Sequence, residues 1–181
     1  LGVMGTIALQ ALRASDVELG DYVGVVGLGV VGNFAAQLAQ LQGAFVTATD
    51  LSAFRAARAR QCGIAQVFDA TARLDRTRID DLTAGAGLHC LIEATGNPRA
   101  LLEHLDLVGP GGEVIQLGTP RDECQANVTD LLQRVHLSRR GGLRIKGACG
   151  QPPARRKAAG PRGDREFRLV TRLIREKRLL L

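Results

Sequence analysis

Aromatic side chains are scarce in this chain: they make up 3% of its 181 residues, and tryptophan is absent. Proteins that bind single-stranded nucleic acid without sequence preference stack the bases on aromatic side chains. The formal net charge of +6 would otherwise suit such a partner. The shortage of aromatic residues therefore excludes a stacking platform for bases.

An excess of basic charge is also missing from most of the chain. Residues 1–138 contain 10 Lys and Arg against 15 Asp and Glu, whereas residues 139–181 contain 14 against 3. A basic tail is one electrostatic signature of nucleic-acid binding. Here the arginines are spread over a predicted strand, a proline-rich loop and a helix, and a coding bias toward arginine gives the same composition. We expect no nucleic-acid partner.

Residues 22–49 lack charged side chains and are long enough to cross a bilayer. They contain five glycines, and the polar residues Asn33, Gln37 and Gln40 recur with helical spacing opposite apolar ones. This pattern favours a buried strand, a half-buried helix and a second strand. We expect no membrane segment. No signal-peptide pattern opens the chain, so the expected location is the cytoplasm.

The four cysteines lack the spacing of a local metal site. Cys62, Cys90, Cys124 and Cys149 form no CxxC pair and have no histidine at ligand spacing. Metal ligands or disulfides remain alternatives, but buried free thiols are the favoured interpretation. We therefore expect no metal, and no zinc, in this chain.

Predicted strands and helices alternate along the chain. Strands rich in Val, Ile and Leu are predicted at 22–27, 44–50, 65–68, 88–94, 113–117 and 143–148. Helices are predicted around 7–12 and at 30–42, 52–62, 75–84, 98–107 and 130–137, with residues 109–112 as a turn. This alternation is typical of one α/β domain, a doubly wound parallel sheet with helices on both faces. Its core spans 5–150, followed by a Pro/Arg-rich loop at 151–164 and a helix at 165–181.

A GxGxxG pattern occupies residues 27–32, directly after a predicted strand and at the start of a predicted helix. Gly27 would permit the tight turn, Gly29 would let a pyrophosphate approach the backbone, and Gly32 would allow close helix–strand packing. Asp50 ends the next predicted strand, where a carboxylate binds the adenosine ribose hydroxyls and repels a 2′-phosphate. Together these residues predict a dinucleotide site that prefers NAD to NADP.

Four ordered segments resemble the coenzyme domain of medium-chain dehydrogenases/reductases, the zinc alcohol, sorbitol and threonine dehydrogenase superfamily. They are residues 20–32, Thr49-Asp50-Leu51-Ser52, Glu93-Ala94-Thr95-Gly96, and residues 111–118 with the sequence GGEVIQLG. The resemblance covers residues 5 to about 148 and implies a six-stranded Rossmann fold of strand order 3-2-1-4-5-6. The cofactor-binding residues that it implies, with the glycine motif, are Thr6, Gly27, Leu28, Gly29, Val30, Val31, Gly32, Asp50, Leu51, Ala94, Thr95, Gly96, Leu117, Gly118 and Thr119.

The resemblance also implies an activity. It suggests an oxidoreductase that moves a hydride between nicotinamide and a small alcohol or carbonyl compound. Family members have a catalytic domain that this chain lacks, so we expect the chain alone to be inactive, and no catalytic residue is assigned. Its opening residues Val3-Met4-Gly5-Thr6 lack a glutamate that many zinc-bearing relatives carry. An uncovered opening helix and the leucines at 179–181 would favour homo-oligomers.

Two other functions fit parts of the sequence. A regulatory domain that senses a nucleotide shares the strand, the GxGxxG pattern and the acidic strand end, but the segment GGEVIQLG favours the dehydrogenase. A methyltransferase that uses S-adenosylmethionine is a third alternative, against which Asp50 argues.

Some polar side chains have two interpretations. Glu93 is either catalytic or a buried structural group, and the buried role is favoured. His89 is interpreted as structural, and His104 and His136 as solvated. Arg55 and Arg58 would contact adenosine phosphates or lie in solvent, with solvent favoured.

Overall fold

The sheet of the computed structural model contains six strands. The structure describes residues 1–69, 71, 74–137, 141–149 and 162–181. The strands are β1 Tyr22–Val26, β2 Phe45–Thr49, β3 Gln66–Phe68, β4 Leu88–Glu93, β5 Val108–Gln116 and β6 Arg144–Gly147. The helices are α1 Gly2–Ala14, α2 Val30–Gln42, α3 Ala53–Gln61, α4 Arg76–Thr83, α5 Pro98–His104, α6 Val128–His136 and α7 Arg162–Arg175, and a 3₁₀ turn covers Leu105–Leu107.

All strand pairs are parallel, in the order β3-β2-β1-β4-β5-β6. This is the predicted Rossmann topology. The chain order reverses between β1 and β4, where Val26 lies beside Glu93. Ligands of open α/β sheets bind beyond the carboxyl ends of the strands at such a switch point. The fold therefore directs attention to the carboxyl edge of β1, β4 and their neighbours.

Side-chain oxygens begin four of the helices. Ser52, Asp75, Asn97 and Asn127 each accept a hydrogen bond from a backbone N–H in the first turn of α3, α4, α5 and α6. Such caps satisfy donors that have no partner within the helix. Gly43 ends α2 with a φ of 100°. The predicted bounds of α2, 30–42, are therefore confirmed.

The core lies on both faces of the sheet. On one face α1, α2 and α7 cover the central strands, with Phe34 and Val170 fully buried. On the other face the residues of α4, α5 and the 3₁₀ turn pack around Ile79, Leu91 and Leu105. No helix of the described part of the chain is long and apolar enough to cross a membrane.

The sequence predicts uncovered leucines at 179–181, but the structure covers the first of them. Leu179 is buried in the α1–α2 face of the core. Gln37 fixes the next residue, because its Oε1 accepts from the Leu180 N–H at 2.7 Å and its Nε2 donates to the Leu180 carbonyl at 2.9 Å. Leu180 and Leu181 remain partly exposed. Tertiary packing of α7 on α1 thus brings the terminal segment onto α2.

Several predicted boundaries differ from the structure, among them the start of β5 and both ends of α7, which was predicted to run to residue 181 and ends at Arg175. The four residues 109–112, predicted as a turn, lie inside β5, which begins at Val108. The β4–β5 register shifts between Leu88 and Cys90, and Gly109 allows the close approach because a Cβ there would lie 2.1 Å from the Ala86 carbonyl oxygen. Helix α7 begins at Arg162, three residues before its predicted start. Most of the predicted loop at 151–164, residues 151–161, lies outside the described residues.

Candidate functional site

The loop between β1 and α2 turns at Gly27, which has a φ of 93°. Residues with a side chain rarely adopt this left-handed backbone conformation. A Cβ on Gly27 would also lie 2.7 Å from Cγ2 of Thr95. Glycine is therefore required both by the backbone and by the adjoining β4 loop.

Gly32 lies in a crowded position, whereas Gly29 lies beside open space. A Cβ on Gly32 would lie 1.8 Å from the carbonyl oxygen of Gly27, so α2 can pack this closely only through a glycine. A Cβ on Gly29 would have no heavy atom within 4 Å beyond its chain neighbours. Packing therefore explains Gly32, whereas the space over Gly29 is open to a ligand.

Helix α2 begins at this open space. Its N-cap is Gly29, which offers no side-chain cap, and the Asn33 N–H donates to the Gly29 carbonyl at 2.8 Å. The first turn of α2 includes Val30 and Val31, and its N–H groups lie at the positive end of the helix dipole. Such a helix start attracts phosphate groups.

Asp50 lies beside the loop, at the end of β2. Its carboxylate is 8% exposed and accepts from the Leu28 N–H at 2.7 Å and the Ser52 N–H at 2.8 Å. Nη1 of Arg55 is 3.7 Å from its Oδ2. Leu51 is 87% exposed. Asp50 thus links the glycine loop to the start of α3. Arg55 lies beside the Asp50 carboxylate, although more than half of its side chain is exposed.

The loops after β4 and β5 complete the edge. The carbonyl oxygen of Glu93 accepts from the N–H groups of Leu117 and Gly118, both at 2.8 Å. A Cβ on Gly118 would lie 2.2 Å from the Gly96 nitrogen, and one on Gly96 would lie 2.4 Å from the Thr119 carbonyl oxygen. The two loops therefore touch through their backbones. The predicted residues 94–96 and 117–119 are brought together here.

Glu93 has the buried role that the sequence analysis favoured. It has no exposed surface. Its carboxylate accepts from the Thr95 N–H at 2.6 Å, from the Thr95 hydroxyl, and from the Gly96 N–H at 3.1 and 3.2 Å. It also accepts from Nε2 of Gln116 at 2.6 Å. Sequence reasoning missed Gln116, whose only signal was a polar residue at the end of an apolar strand.

Other predicted polar residues have partners within the fold. Thr6 lies in α1 and donates its hydroxyl hydrogen bond to the Gly2 carbonyl at 2.9 Å. Nδ1 of His89 accepts from the Tyr22 N–H at 3.0 Å, and its ring stacks on Tyr22. His104 is within 2.7 Å of the Ala100 carbonyl oxygen, and His136 is exposed. These contacts account for His89 and His104 within the fold.

The described residues do not fit a metal ion. Among them no group of three or more His, Cys, Asp or Glu side chains is placed to hold one. All four cysteines are free, with Cys62 and Cys90 buried. Burial first, and the charge of Glu113 second, raise the pKa of the Cys90 thiol well above its usual value. This part of the chain therefore offers no ligand set for a zinc ion.

The sheet order and the open glycine loop define a Rossmann-fold domain. The family model described as zinc-binding dehydrogenase matches residues 30–150. The chain belongs to this family, a group of alcohol dehydrogenase-like oxidoreductases.

One curated relative agrees with this assignment, and two solved structures share the fold. The chain is 30% identical over 149 residues to sorbitol dehydrogenase of Halalkalibacterium halodurans, covering 80% of this chain and 41% of the relative. Its fold is similar to galactitol-1-phosphate dehydrogenase of Escherichia coli, with a TM-score of 0.77, 22% identity and coverage of 98% and 49%. It is also similar to a zinc-binding dehydrogenase from Sinorhizobium meliloti bound to NADP, with a TM-score of 0.72, 22% identity and coverage of 98% and 48%. The chain thus spans about two fifths of the curated relative's length.

Proposed function

We propose that this chain binds NAD along the carboxyl edge of its sheet and serves as the coenzyme-binding part of an oxidoreductase. The observation that carries the proposal is the contrast among the three motif glycines. Gly27 and Gly32 have no room for a Cβ, whereas Gly29 faces open space at the start of α2. At Gly29 neither the backbone nor a neighbouring atom requires glycine, and a ligand that approaches the backbone would explain its presence in the motif.

The residues present fit a dinucleotide. The start of α2 would hold the pyrophosphate, with backbone N–H groups as donors. Asp50 would accept from the ribose hydroxyls, and the loops at 94–96 and 117–119 would lie against the nicotinamide. NAD, when bound, accepts or supplies the hydride, and the protein fixes which face of the ring meets the substrate.

Asp50 supports NAD over NADP. A buried carboxylate at this strand end repels a 2′-phosphate. Arg55 partly offsets this charge, since its Nη1 lies 3.7 Å from Oδ2 of Asp50, and the similar fold from Sinorhizobium meliloti is bound to NADP. We favour NAD because Asp50 is buried and bonded to the Leu28 N–H, whereas more than half of the Arg55 side chain is exposed.

The substrate belongs to the proposal too. Relatives named for sorbitol and galactitol-1-phosphate suggest a small alcohol or the corresponding carbonyl compound. These relatives are at least twice as long as the matched region. We expect the groups that bind substrate to lie in a second domain, and we expect no turnover from these 181 residues alone because nothing then closes over the nicotinamide.

The test of the proposal is a calorimetric titration of NAD into the wild-type chain and Gly29→Val. The valine fits the backbone, because Gly29 has an ordinary φ of −60°. Its side chain would occupy the open space, so NAD binding should be lost while the circular dichroism stays unchanged.

Ala65→Val is the matched control. It adds two methyl groups to an exposed residue just before β3, at the opposite edge of the sheet. NAD should bind this variant as it binds the wild type. Normal binding by Gly29→Val, or no binding by the wild type, would refute the proposed site.

A further inference from the structure

The loops after β4 and β5 share one buried polar linkage. Oε2 of Glu93 accepts from Nε2 of Gln116 at 2.6 Å, and the same nitrogen donates to the Gly118 carbonyl at 2.6 Å. The remaining acceptor positions of Glu93 are directed at Thr95 and Gly96. A single carboxylate and a single amide therefore connect the backbone of both loops.

This linkage has little freedom to shift. Glu93 is fully buried, and Gln116 is half-buried. Gly96 and Gly118 already approach so closely that a Cβ on either would collide with the other loop. The buried Glu93 carboxylate favours a single geometry, since the loss of a donor leaves one of its oxygens with fewer partners and without water to replace them.

We propose that Glu93 and Gln116 are positioning residues that set the orientation of the nicotinamide half of the dinucleotide. The inference rests on the proposed function, which places the nicotinamide against these loops. Neither side chain needs to touch the cofactor. Each acts through the backbone of residues 94–96 and 117–119, whereas the adenosine half depends on the glycine loop and Asp50.

The two halves of the cofactor can be tested separately. ADP-ribose contains the adenosine, the pyrophosphate and the second ribose but lacks nicotinamide, so it probes the glycine loop and Asp50 without the nicotinamide ring. In Gln116→Leu we expect NADH to bind about tenfold more weakly, as for one lost hydrogen bond to a charged group. The affinity for ADP-ribose should stay within about twofold of wild type, which is the scatter of such comparisons.

Gln10→Leu supplies the matched control. Nε2 of Gln10 donates to Oε2 of Glu166 at 2.5 Å, which is a similar amide–carboxylate bond between α1 and α7. Its loss should lower stability and leave both affinities unchanged. If Gln116→Leu does not fold by circular dichroism, Gln116→Asn keeps the amide but shortens its reach and should give the same split.

The results separate the two proposals. A loss confined to NADH supports the positioning role. Equal losses for NADH and ADP-ribose, or unchanged binding of both, would overturn it while the wild-type chain still binds NAD. Failure of the wild-type chain to bind either ligand would instead refute the proposed function.

Discussion

The two edges of the sheet each hold a buried carboxylate, and the two are satisfied differently. At the carboxyl edge, the Glu93 side chain accepts from backbone N–H groups, a hydroxyl and an amide. Toward the amino edge, Oε2 of Glu113 lies 2.6 Å from Nζ of Lys146, and its Oε1 accepts from the Asp16 N–H at 2.6 Å. Glu113 is 2% exposed.

We infer that the contacts of Glu113 support the stability of the fold, whereas those of Glu93 support cofactor binding. Lys146 also contacts Oδ2 of Asp16 at 2.7 Å, so the cation ties the end of α1 to β5 and β6. Glu93 instead fixes the backbone of two loops through neutral donors. In our proposal the cation–carboxylate cluster stabilises the packing of α1 on β5 and β6, whereas the donors around Glu93 position two loops for the cofactor. The comparison predicts that damage at one edge leaves the property of the other unchanged.

The largest effect is expected from Lys146→Met. The change leaves Glu113 buried without its cation, which costs about 3 kcal/mol when a buried pair loses one partner. Urea unfolding should show this loss as a lower midpoint. NAD affinity should stay at the wild-type value.

Arg144→Met is the control for Lys146→Met. Arg144 pairs with Asp16 at 2.6 Å, but about half of each side chain is exposed. Exposed pairs contribute about 0–1 kcal/mol. Equal destabilisation by the two variants would show that burial of Glu113 is not the cause.

Asp50→Ser should affect binding at the other edge. It removes the carboxylate that would bind the ribose hydroxyls and repel a 2′-phosphate. We expect about tenfold weaker NAD binding and a smaller difference between NAD and NADP. Titration of both cofactors measures this. An unchanged NAD-to-NADP ratio would remove Asp50 from the adenosine site.

Acid should weaken the ion pairs of Asp16 at the amino edge. A hydrogen bond from Lys146 holds the pKa of Asp16 below its usual 3.8. Because the folded pKa is lowered, this contribution is present above pH 3.8 and is lost as pH falls through the folded pKa. Thermal unfolding of wild type and Asp16→Asn from pH 6 to 2 should converge at the acidic end. Parallel curves would contradict the assignment.

The smallest effect is expected in the reactivity of the cysteine thiols. Burial raises the pKa of Cys90, and Cys62 is also buried, whereas Cys149 is exposed and Cys124 is partly exposed. Titration with a disulfide reagent at pH 8 should label Cys149 and Cys124 quickly, and the buried pair only after denaturation. Fast labelling of Cys90 would show that the sheet opens there.

Local sequence signals predicted the elements whose ends are set by their own residues. Helix α2 has the predicted bounds because glycines stand at both of its ends. The predicted start of β5 was wrong because residues 109–112 have the composition of a turn. In the structure Val108 pairs with Leu88, so the strand begins before these residues. Long-range pairing of this kind overrides local preference.

The site divides in the same way. Gly27, Gly29 and Gly32 follow from their spacing along the chain, because one strand, one turn and one helix create their geometry. Asp50 could be predicted although it contacts Leu28 across 22 positions, because an acidic residue at the end of the second strand recurs with this glycine pattern. Gln116 could not be predicted, since its contact with Glu93 joins residues 23 positions apart. Only the β4–β5 register brings those two side chains together.

Hydrogen–deuterium exchange of the full chain, with and without saturating NAD, tests most directly which edge binds the cofactor. We expect NAD to slow exchange in residues 27–32, 94–96 and 117–119. Exchange in residues 15–18 and 144–146, at the opposite edge, should not change. Protection at the amino edge, or none in residues 27–32, would contradict the proposal that this chain holds NAD over its glycine loop.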